Sequence, residues 1–287
     1  MTGGTDHQHD EVADWWASGI IRIEPGVIEY RGEPIAEVIA GRGLADVIWL
    51  LLRSGRPTPA QARLLEAAMV ASADHGPQAP SIAAARMAAT CGVGLNNAVA
   101  TGVNMLGDVH GGAGEQCLTM LSEVVERESA GQESAEAARA TVQAWRAEVR
   151  FLPGFGHRFH PVDPRREPLI TLVAEARDKG EVSGAYLRAG LAIEAELMNE
   201  TGKNVPMNVD GLTAIIYGEL GFAAPLARGL FVLSRAVGIL AHAWEESQSG
   251  RRIKGPMPPS ILPSYLPSAE SWGWGGGPPT TTGYVGS

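Results

Sequence analysis

The sequence predicts an all-α protein with one small hairpin, and three observations predict it. Segments with helical apolar spacing fill most of the 287 residues, the 36 glycines gather between those segments, and only one stretch alternates apolar with polar in the manner of strands. That stretch is IIRIEPGVIEY (20–30), which reads as a hairpin turning at Pro25-Gly26. Helical reading starts at ADVIWLLL (45–52) and stops at Arg53-Ser54-Gly55. Thr58 and Pro59 then supply the N-cap and first position of the next helix, because a threonine oxygen can accept an orphan amide and proline needs none. Further helices are expected over 81–90, 96–106, 114–127, 134–150, 168–178, 183–199, 211–220 and 225–246.

Composition narrows the class. A hydrophobic content of 45% fills a large core, and two cysteines, Cys91 and Cys117, argue for a reducing compartment rather than a disulfide-stapled fold. The first residues have no basic segment leading into an apolar one, and nowhere do about 18 apolar residues run uninterrupted. A soluble, cytoplasmic protein is therefore expected. A net charge of −9 opposes general binding to nucleic acid or anionic membranes, yet permits a few arginines focused on an anionic substrate. The first ten residues, with His7 and His9, read as a polar tail. The stretch from 267, which carries Trp272 and Trp274, reads as a glycine- and proline-rich arm or tail.

Three junctions between helices carry residues suited to chemistry. GDVHGGAGEQ (107–116) sets His110 before two glycines and a helix start, where the helix dipole lowers an imidazole pKa and leaves a neutral hydrogen-bond donor. A satisfied loop histidine is the plainer reading. LPGFGHRFHPVDPR (152–165) places His157 beside a glycine turn, with Arg158 and Arg165 able to bind phosphate or carboxylate; the plainer reading is a solvated surface turn, and His160 reads as a bystander. NVDGLTAIIYGELGF (208–222) sets Asp210 as the N-cap of an apolar helix, where it is either a cap alone or a carboxyl group poised to move a proton on carbon. Arg235 lies within the otherwise apolar helical stretch FVLSRAVGILAHAWEE (231–246) and needs an anionic partner if buried.

In this order the segments resemble the citrate synthase superfamily over about 20–265. GEPIAEVIAGRGLADVIWLLLRSGRPT (32–58) is similar to the family's N-terminal region, GDVHGGAGEQ to its first histidine motif, PGFGHR with DPR to its second, and NVDG to its aspartate motif. The resemblance implies a large helical domain (20–111 with 216–266) and a small one (112–215), with the active site in their cleft, residues 1–19 leading in and 267–287 trailing. It also implies a homodimer or higher homo-oligomer. ADHGP (73–77), the C-terminal FVLSRAVGILAHAWEE and RRIKGPMPPSILPSYL, and the short chain are similar to the branch that cleaves citryl-CoA, including the C-terminal module of ATP-citrate lyase.

By that resemblance the catalytic residues are His110, which stabilises the acetyl-CoA enolate, His157, which hydrogen-bonds the citryl hydroxyl, and Asp210, which returns a proton to carbon. His75, Arg165 and Arg235 would bind carboxylates, while Pro153, Gly154, Phe155, Gly156 and Arg158 would meet coenzyme A. The thioester enters as substrate with a carboxylic acid partner, and no metal or permanently bound cofactor is expected, because retro-Claisen cleavage needs only proton transfer and charge stabilisation. Two alternatives stay open. One is condensation of acetyl-CoA or propionyl-CoA with a 2-oxo acid or ketone. The other is an acyl-CoA-binding subunit dependent on a citrate–CoA ligase partner. The pattern departs from the family where a C-terminal arginine is expected and Gly255 or Met257 stands; Arg251, Arg252 or Lys254 would have to replace it.

Overall fold

The computed structural model describes residues 14–157, 160–255, 257–258, 260–262 and 265. Arg158 and the two tails expected at the termini lie outside the described residues. The hairpin forms as β1 (Ile21–Glu24) and β2 (Val27–Tyr30), with Glu24 opposite Val27 so that Pro25-Gly26 alone makes the turn. Gly26 takes φ +80°, a conformation open to glycine and costly for a side chain. A two-residue β3 (Glu33–Pro34) extends the sheet in the order β1-β2-β3 and runs into α1 (Ile35–Gly41). The sequence reading misses α1 because it is short and buries only Val38, too little to print a helical period.

The other helices fall where the periodicity expects them, with ends moved by a few residues. They are α2 (Leu44–Arg53), α3 (Pro59–Ser72), α4 (Pro80–Thr90), α5 (Leu95–Asn104), α6 (Ala113–Ser129) and α7 (Ser134–Glu148). Then come α8 (Arg166–Asp178), α9 (Ala185–Thr201), α10 (Val209–Glu219) and α11 (Ala224–Gln248). Thr58 caps α3 as expected, and Gln61 returns the bond to the Thr58 amide at 3.0 Å, which completes a capping box.

Helix α10 is the central rod. Val209 and every residue from Gly211 to Gly218 are buried, so it is apolar all round, as a helix enclosed by others must be. It packs on α3, α6 and α9, and its carboxyl-end Glu219 accepts the Gly184, Tyr186 and Leu187 amides at the start of α9. One hydrophobic cluster joins residues from Trp49 to Leu230, including Leu64 and Leu65 of α3 with Leu118 and Leu121 of α6. It therefore crosses position 112, where the resemblance sets a domain boundary. A smaller cluster, with Ile82, Ala98, Ile239 and Ala243, binds α4 and α5 to the far end of α11.

Helix α11 is long and apolar enough to cross a membrane by length and composition alone, and it buries one face in these cores. On its other face Leu233, Val237, Leu240 and Trp244 are exposed at helical spacing.

Candidate active site

Two chain segments far apart in sequence are stapled together beside α10. Phe155 bridges Met207, Gly156 N donates to Pro206 O at 2.8 Å, Asn208 N donates to Gly154 O at 3.0 Å, and Asn208 Nδ2 donates to Gly156 O at 2.7 Å. Contact this close requires small residues. A Cβ on Gly154 would lie 2.9 Å from Gly211 Cα and 3.0 Å from Cys117 Cβ, while Gly154 also takes φ +83°. The staple sets the segment that leads into His157 against the amino end of α10, the helix that carries Asp210.

Two amides of the glycine turn, the segment that the resemblance assigns to coenzyme A, are used within the fold. The Phe155 amide is turned inward to Leu152 O and the Gly156 amide is taken by Pro206 O, while Gly154 and Phe155 are buried. Pro153 and Gly156 keep partial exposure.

Asp210 is not the N-cap that the sequence suggests. Asn208 holds that position, its Oδ1 accepting the amides of Asp210 at 2.9 Å and Gly211 at 3.4 Å, so α10 starts two residues earlier and the Asp210 carboxyl is released from capping. Burial raises the Asp210 pKa above the usual carboxylate range, against the pull of Arg235 and Arg165. Such a carboxyl holds a proton to higher pH and can deliver it.

His110 sits in a tight loop closed by the Gly107 amide on His110 O at 2.8 Å. Its Nε2 accepts the Ser81 amide at 3.1 Å and lies 2.9 Å from Ser81 Oγ. Nε2 is therefore the unprotonated nitrogen, and the neutral ring presents Nδ1–H as its donor. The pKa is lowered as expected, but the causes differ from those read in the sequence: burial first, then the charge of Arg235. The direct partner lies in the first turn of α4, not α6.

His157 receives the His160 amide on Nδ1 at 3.1 Å, so its neutral ring carries the proton on Nε2. Burial lowers its pKa, with Asp163 opposing and His160 and Arg165 adding to the fall. The His160 ring lies 4.6 Å from that of His157, which makes it a neighbour in the site rather than a bystander.

Arg165 and Arg235 are both set by groups that the sequence reading passed over. Asp163, 2% exposed, accepts Arg165 Nε and Nη2, each at 2.8 Å, and its Oδ2 also accepts the Val209 amide at 3.1 Å. That single carboxylate ties the arginine to the first turn of α10. Arg235, 4% exposed, donates Nε to Ser72 O at 3.1 Å and stacks 4.8 Å from the Phe231 ring centre. Burial lowers its pKa, while Asp210 and Asp74 supply the opposing anionic field.

A cavity of about 370 Å³ opens among Asp74, His75, Gln78, His157, Asp163 and Arg165, with His160 and Pro164 at its wall. His75 lies 6.1 Å from His157 between ring centres, and its pKa is lowered by burial, Arg235 and Arg165. The cavity thus unites His75, His157 and Arg165. His110 and Asp210 are not among its lining residues; both instead lie in the field of Arg235, which also acts on His75. None of the described residues at 251–255 lines the cavity, and Arg251 is paired with Glu246 at 3.2 Å.

Of the residues missed, Asp163 and Asn208 had a legible signal. Each lies inside a motif already singled out, one two residues before an arginine and the other at a cap position. Ser81 had none, because what it contributes is chiefly a backbone amide.

The helices bring His75, His157, His160 and Arg165 to one cavity, and comparison with known proteins gives the class. A family model for the citrate synthase C-terminal domain matches residues 52–256, and the chain belongs to the citrate synthase family. Citrate synthase of Deinococcus radiodurans is 30% identical over 206 residues, 71% of this chain and 52% of that protein. The chain spans about half the length of the curated citrate synthases it matches. More particularly, citryl-CoA lyase from Hydrogenobacter thermophilus is similar at a TM-score of 0.76 and 30% identity, covering 88% of this chain and 95% of that one. Citrate synthase from Thermotoga maritima is similar at a TM-score of 0.59 and 26% identity, covering 78% and 59%.

Proposed function

We propose that this protein cleaves citryl-CoA to acetyl-CoA and oxaloacetate. The observation that carries the reading is the structural likeness: citryl-CoA lyase is similar at a TM-score of 0.76 and 30% identity, against 0.59 and 26% for citrate synthase.

In the cleavage direction the citryl hydroxyl gives its proton to solvent as its carbon–oxygen bond becomes a carbonyl and the neighbouring carbon–carbon bond breaks, and Asp210 regains a proton from solvent after each turnover. His157 hydrogen-bonds that oxygen. The electron pair passes to the thioester as an enolate, whose oxygen accepts a hydrogen bond from neutral His110, and Asp210 in its acid form protonates the enolate carbon. A neutral imidazole donor and a carboxyl held protonated by burial are the two electronic states this requires, and the pKa directions of His110 and Asp210 support them. His75, Arg165 and Arg235 take the carboxylates. Asp163 takes the Nε–H and one Nη2–H of Arg165 and Ala71 O takes one Nη1–H at 3.2 Å, so that arginine meets substrate through the remaining N–H of each Nη. Coenzyme A enters over Pro153, Gly156 and the segment that includes Arg158.

The names of the curated relatives favour a second reading, condensation of an acyl-CoA with a 2-oxo acid on the same residues. The exposed apolar stripe of α11 supports a homodimer or higher homo-oligomer. A citrate–CoA ligase subunit as partner and a cytoplasmic location are part of the same proposal. The purified chain is incubated with citryl-CoA, and separately with acetyl-CoA and oxaloacetate, while thioester and free thiol are followed. Cleavage faster than condensation is expected. Absence of turnover in both directions by a folded chain would sink the two enzymatic readings.

A further inference from the structure

Helix α11 grips the end of α3 and the turn beyond it at four successive levels. Ser234 Oγ donates to Met69 O, Arg235 Nε to Ser72 O at 3.1 Å, and Gly238 N to Ala73 O at 3.2 Å. A Cβ at position 238 would run into the Ala73 carbonyl, so glycine is what lets the two backbones meet. The fourth level is His242, one turn further on, whose Nε2 lies 3.1 Å from Asp74 Oδ1.

The tautomer of His242 follows from its other neighbour. Arg86 Nη1 lies 3.2 Å from Nδ1, and a guanidinium only donates, so Nδ1 accepts and Nε2 carries the proton given to Asp74. Arg86 is itself held by Glu245 at 2.8 Å and by buried Glu246 at 2.5 Å. Asp74 turns its second oxygen to the Gly76 amide at 3.3 Å and also draws on the amide of His75. The His75 ring leaves this turn for the cavity wall.

We infer that His242 is a positioning residue for His75, aiming the Asp74 turn from the fixed frame of Glu246 and Arg86 so that His75 faces the carboxylate subsite. The substrate in this statement rests on the citryl-CoA lyase reading, whereas the geometry does not. Arg86 belongs to α4, the helix whose Ser81 amide orients His110, so one helix sets both histidines.

The test compares His242→Gln, which keeps an acceptor for Arg86 and a donor for Asp74, with His242→Ala, which keeps neither. With citryl-CoA, H242A is expected to raise KM at least about tenfold with a smaller change in kcat, and H242Q to stay within about threefold of wild type. In a His75→Ala background H242A is expected to add less than about twofold, because residues acting through one another are not additive. Equal losses in H242A and H242Q, or full additivity with H75A, overturns the inference.

A second readout needs no turnover. The imidazole nitrogen resonances of His75 in the unliganded chain are expected to move in H242A and to stay in place in H242Q; no movement in either overturns the inference. If H242A does not fold, Asp74→Ala removes the acceptor while leaving His242 packed, and is expected to move the same resonances. A wild-type chain inert toward citryl-CoA defeats the proposed function, and the His75 resonances still decide the relay.

Discussion

Asn208 caps α10 with its side-chain oxygen 2.9 Å from the Asp210 amide, and this single bond frees the Asp210 carboxyl for chemistry. Asp210→Asn is therefore expected to lower turnover by at least about two orders of magnitude, because the proton carrier is gone. Its effect on stability has the opposite sign. A carboxyl whose folded pKa is raised weakens the fold once it ionises, so D210N is expected to melt above wild type at neutral pH. That gain should fade as pH falls below the ordinary carboxylate range, where the unfolded wild type is also protonated. Thermal melts across pH, run beside the turnover assay, check both; near-normal turnover would reduce Asp210 to a helix residue.

Asp163→Asn breaks the buried pair with Arg165 and the bond to the Val209 amide, at an expected cost of about 3 kcal/mol. Burial alone would raise the Asp163 pKa, but the Arg165 hydrogen bonds hold it below the usual range. A depressed folded pKa gives stability that is present above the unfolded value and is lost as pH falls through the folded one. The gap in melting temperature between wild type and D163N should then be widest near neutrality and close on acidification. A gap independent of pH would show that packing, not charge, holds this corner.

His110→Ala is expected to cost about two to three orders of magnitude in kcat by removing the donor to the enolate oxygen. Ser81→Ala retains the amide that orients the ring at 3.1 Å, and its loss should remain below about tenfold. Steady-state kinetics of the pair separates the two. Matching losses would transfer the orienting role to Ser81 Oγ.

Gly211→Ala would ordinarily stabilise a helix by about 1 kcal/mol. Here the added methyl meets the Gly154 carbonyl and lies 3.3 Å from Met207 Cβ, so a loss of about 1–3 kcal/mol is expected, with weakened turnover as the His157 and Asp210 segments separate. Chemical denaturation gives the sign directly.

Much of the fold was legible because its information is local. The hairpin announced itself by alternation about Pro25-Gly26, α3 by Thr58 and Pro59, and α10 by its apolar run; α1 escaped because one buried residue makes no period. The candidate residues were legible as types set beside glycine junctions, although none was persuasive alone and the ordered motifs supplied the weight. The start of α10 was misread by two residues because Asn and Asp cap equally well, and only the path of the chain selects between them.

The helical class, the junctions that bear His110, His157 and Asp210, and the family are all written in the order of residues along the chain. Tertiary structure alone decided which nitrogen of each histidine carries the proton, that burial raises the Asp210 carboxyl pKa, and that Asp163 holds Arg165 on α10. The division has a physical cause. Periodicity and capping are properties of neighbours along the chain, whereas desolvation and tautomer depend on groups as far apart in sequence as Ser81 and His110, or Asp74 and His242, that meet only when the helices pack.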